Sequence, residues 1–142
     1  MPEANVPLRV TAYTALSAAG AGKDALLDSL RLRRSGLAPN DFGEQPLATW
    51  IGRVPGVEDA PLPAHLAEWE CRNNRLAWMG LLGDGFLSAA RDAIARHGAQ
   101  RVALLVGTST SSIGASEEAY RRLLPDGSFP PDLRRPMVHT PH

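Results

Sequence analysis

Cys71 is the one cysteine among the 142 residues and the first place to look for a nucleophile. It stands in EWECRNNRL, where Arg72 and Arg75 near the start of a helix would favour a thiolate. Glu68 and Glu70 oppose that charge, and no strand precedes the cysteine to present it on a turn. The residues read as an ordinary half-buried thiol that packs as a small apolar group. His139 and His142 have the i, i+3 spacing of a helical metal pair, but Pro141 lies between them and no third ligand accompanies them. His65 follows prolines and His97 closes a helix, so both read as solvated or partly packed imidazoles. The run GTSTSSIG gathers Thr108, Ser109, Thr110, Ser111 and Ser112 behind an apolar segment. Such hydroxyls cap backbone donors at a strand-to-helix turn, or line a small-molecule pocket. No nucleophile with its base and no paired carboxylates stand out, so no catalytic residue and no metal set is assigned.

A phosphate loop is the other chemistry to test, at SAAGAGKD. Counting back from Gly22 and Lys23, the first required glycine is Ser17 and the magnesium hydroxyl is Asp24, whose carboxylate would repel a phosphate. The dinucleotide fingerprint fares no better, with Ala25 in its last glycine slot. The stretch reads instead as a tight turn of small residues between a strand and a helix.

The elements that must hold these residues follow from periodicity. Residues 8–16 read as a strand with Leu8, Val10, Ala12 and Thr14 on one face. A helix opens at Asp24 with the stripe Leu26, Leu27 and Leu30, and Gly36 ends it. Residues 37–63 carry five prolines and read as a connecting region with one short edge strand at 49–54. The longest helix spans 69–97, with Leu76, Met79, Leu82, Phe86, Ala90 and Ile94 at three- and four-residue spacing and Gly98 as its stop. Gly80, Gly83 and Gly85 each weaken such a helix by roughly 1 kcal/mol. Either another backbone approaches that face, or the helix breaks near Gly83, Asp84 and Gly85. Residues 101–107 are apolar without alternation, the pattern of an interior strand covered on both faces. A helix follows the hydroxyl loop, and 125–142 form an extended tail with five prolines. Trp50, Trp69 and Trp78 read as core and interface side chains. An interior strand needs neighbours on both edges, and too few other strands are legible to supply them.

Composition bounds the partners. With 44% hydrophobic and 21% charged residues the chain is globular, and its zero net charge gives a polyphosphate nothing to seek. The basic cluster Arg31, Arg33 and Arg34 reads as a solvated helix end. Neither a signal peptide nor a membrane span is legible, and a lone cysteine suits a reducing cytoplasm.

Four stretches together suggest a family: LRVTAYTALSAAGAGKDALLDSLRLRRSGL, RNNRLAWMGLLGDGFLSAARDAI, RVALLVGTSTSSIG and ASEEAYRRL. In that order they resemble the N-terminal part of the β-ketoacyl-acyl-carrier-protein synthases of the thiolase-like superfamily. The resemblance covers most of residues 8–124. It rests on Gly20, on Leu26 to Leu30, on Arg33, Arg34, Ser35 and Gly36, and on the glycine- and serine-rich loop from Gly107 to Gly114. It implies an α/β segment over 1–142, the N-terminal part of a thiolase-like fold with an incomplete mixed sheet and covering helices. The activity it implies is an acyltransferase reaction, a decarboxylating Claisen condensation in fatty-acid or polyketide-type biosynthesis. The partner would be an acyl carrier protein, and no cofactor is needed. Thr108, Ser109, Thr110 and Ser111 would border the acyl pocket, the position of Thr110 gating chain entry. The family's nucleophilic cysteine and its histidine or asparagine partners lie beyond the resembling segment, so this chain alone is expected to be inactive. The alternative is a non-catalytic module of the same fold, forming a homo- or heterodimer through its sheet edge or helix faces, with no role for nucleic acid or membrane.

Overall fold

The computed structural model describes residues 9–43, 46–107, 112–134 and 138. The chain is mixed α/β, but its strands form two separate two-stranded antiparallel sheets. The first is a tight hairpin in which β1 (Leu16–Ser17) turns through Ala18 and Ala19 into β2 (Gly20–Ala21). The Ala19 N–H donates to Ser17 Oγ at 3.2 Å, closing the turn. Gly20 holds φ 135°, a conformation open to glycine. A Cβ there would also stand 2.7 Å from Ala25 Cβ, so small residues at both positions seat the hairpin on the next helix.

That helix, α1 (Lys23–Arg31), begins where expected and has Arg31 in its last turn. Ser29 is buried, and its hydroxyl donates to Arg34 O at 2.6 Å, tying the chain down past the helix end. The leucine stripe is not covered: Leu27 and Leu30 face solvent. The second sheet pairs β3 (Leu37–Pro39) with β4 (Trp50–Gly52), Ala38 opposite Ile51. β4 is the edge strand expected at 49–54, and its partner lies inside the stretch read as a connection. Trp50 is exposed there, while Trp69 and Trp78 are half-buried.

The long helical pattern folds as two helices, α2 (Arg72–Leu82) and α3 (Phe86–His97), separated by a short turn at Gly83–Gly85. Asp84 at φ 54° and Gly85 at φ 67° are both left-handed, so the axis breaks there. The reading of a break holds, with Gly85 supplying it. The close approach at Gly83 is by a side chain and not by backbone: a Cβ there would meet Thr14 Oγ1 at 2.8 Å. The hydroxyl loop leads into α4 (Ile113–Arg121), whose Tyr120 packs edge-on against Phe129 with ring centres 5.3 Å apart.

Residues 8–16 and 101–107 depart furthest from expectation. Beyond β1 no described residue of either stretch belongs to a strand. Within the interior strand that the pattern demanded, Leu104, Leu105 and Val106 are 55%, 86% and 65% exposed. The sequence pattern asks for strand partners, and among the described residues none pairs with these segments as a strand. The buried apolar side chains among the described residues are Val54, Val57, Leu62, Ala119 and Val138, a small core.

Candidate functional site

Residues 9–16 and 101–107 both line one open groove of about 960 Å³. Its floor is Leu76, Ala77, Gly80 and Leu81 of α2 with Phe86, Ala89 and Ala93 of α3. On α3, Phe86, Ala89 and Ala93 border the groove, while Ile94 of the expected stripe is exposed, as is Leu82 at the end of α2.

The two walls run the same way. Thr14 donates from Oγ1 to Gly80 O at 3.2 Å, and Leu16 lies over Gly80. Thr11 and Ala12, earlier in the chain, border a recess of about 50 Å³ with Ala89, Ala90 and Ala93. The first wall therefore travels from the end of α3 towards its start. The second leaves the turn Ala99–Arg101 just after α3, and its Val102, Ala103 and Leu104 border the same recess. Val102 has extended backbone, φ −117° and ψ 122°. Residues 9–14 and 103–107 make no backbone hydrogen bond to any other described main-chain group. Among the described residues, then, neither wall is paired as a strand.

Thr108, Ser109, Thr110 and Ser111 lie outside the described residues. They continue directly from the second wall, and the next residue, Ser112, is described. It is buried at the start of α4, but its hydroxyl does not cap that helix. Ser112 Oγ instead lies 3.3 Å from Cys71 Sγ at the start of α2. This pair ties the far end of the hydroxyl loop to α2, a role for Cys71 that spacing alone did not suggest. The arginines that might have activated the thiol are engaged elsewhere. Arg72 Nε donates to Glu58 Oε1 at 2.9 Å, and Arg75 is paired with Glu70. His65 and His97 are exposed, and His139 and His142 lie outside the described residues. Among the described residues no group of three or more metal-ligating side chains comes together, and no helix is long and apolar enough to cross a membrane.

Beside this anchor sits a charged cluster with a pH consequence. The hydrogen bond from Arg72, helped by Arg53 at 3.6 Å, holds the Glu58 carboxyl below its ordinary value of 4.5, against a smaller upward push from desolvation. A carboxyl lowered in the folded state stabilises the fold above its unfolded pKa and loses that contribution as pH falls through the folded value. Arg72→Gln should therefore flatten the loss of stability below about pH 4.5. Because Glu58 is 41% exposed, the difference in urea midpoint between pH 7 and pH 3 should correspond to less than about 1 kcal/mol. An acid limb identical in the two proteins would show that the pair contributes nothing.

Family models, curated proteins and solved structures were all compared with the chain, and none matches it.

Proposed function

We propose that this chain is the N-terminal portion of a β-ketoacyl synthase-like protein, and that the groove is where the rest of its sheet belongs. One observation carries the reading: two apolar segments of strand-like sequence border one groove over α2 and α3 and pair with no described strand. The exposed Leu104, Leu105 and Val106 support the same reading. The proposed role is acyl-carrier-protein-dependent condensation in fatty-acid or polyketide-type biosynthesis. Thr108, Ser109, Thr110 and Ser111 would border the acyl pocket, and the cysteine nucleophile and its partners would come from outside these residues. Cys71, held against Ser112, has a structural part.

The purified chain should bind a hydrophobic dye strongly and self-associate. Co-expression with the catalytic half of a β-ketoacyl synthase should suppress both and yield acyl transfer from an acyl-carrier thioester. A monomer with a sharp cooperative melt and no dye binding would refute the proposal. Suppression of dye binding without any acyl transfer would favour the other reading, a dimerisation or interaction module that uses the same exposed groove.

A further inference from the structure

No further inference is drawn: the strongest candidate, the open groove over α2 and α3 bordered by Arg9, Arg96 and Arg101, carries nothing, because nothing in the structure shows what covers it.

Discussion

Gly36→Ala should lower stability by about 3 kcal/mol, a fall in midpoint of about 10 °C for a chain of this length. Gly36 has no left-handed dihedral to protect, so the reason is space alone. A Cβ at this position would stand 2.5 Å from both C and O of Ala18 and 2.7 Å from Ala19 N. All three are main-chain atoms at the apex of the β1–β2 hairpin, and no rotamer change can move them aside. The substituted chain must push the hairpin off the segment that joins α1 to β3, and the hairpin also carries the end of the groove's first wall. Gly114→Ala is the matched control. It lies in α4 with nothing within 4 Å of the added methyl, and should stabilise by about 0.5–1 kcal/mol through helix propensity. Urea denaturation of the two variants beside the parent should give shifts of opposite sign. Equal shifts would mean that the hairpin does not press on Gly36 in solution.

Gly36 also shows how far the sequence could be read. The sequence reads it as the end of the helix, but α1 stops earlier, at Arg31, and the chain turns at Arg33 with φ 51°. The real constraint on Gly36, a backbone contact with residues eighteen positions earlier, has no local signature. A division runs through the fold. Helix positions, the stop at Gly98, the edge strand at Trp50–Gly52 and the trouble at Gly83 to Gly85 were all legible, because each follows from propensity or periodicity within a few residues. Pairing was not legible. The apolar run at 101–107 encodes burial on both faces, and pattern reasoning turns such a run into a paired strand on the assumption that its neighbours belong to the same set of residues. Here Leu105 is 86% exposed, so the pattern and the observed environment disagree at one residue after another. That disagreement locates the groove more sharply than agreement would have done. The alanines of its floor were passed over for the opposite reason. Ala89 and Ala93 contribute little to a hydrophobic stripe, although both border the groove.

Asp84 offers a test of long-range capping that separates conformation from hydrogen bonding. α1 begins after Gly22 with no cap from its own neighbours. Instead Asp84, sixty-one residues on, accepts the Lys23 N–H with Oδ1 at 3.2 Å and Oδ2 at 3.1 Å. A carboxylate at this position satisfies an otherwise unmet donor and opposes the positive end of the helix dipole. The same residue sits at φ 54°, where aspartate and asparagine are tolerated and alanine is strained. Asp84→Ala should therefore lose both contributions, about 1 kcal/mol for the cap and about 1 kcal/mol for the conformation. Asp84→Gly should lose only the first, and Asp84→Asn, which keeps an acceptor and tolerates the left-handed region, only about 0.5 kcal/mol for the charge. The order of midpoints, Asn above Gly above Ala, is the discriminating result. Equal loss in Gly and Ala would remove the conformational argument. Equal loss in Asn and Ala would remove the cap, and with it the link that holds α1 to the break between α2 and α3.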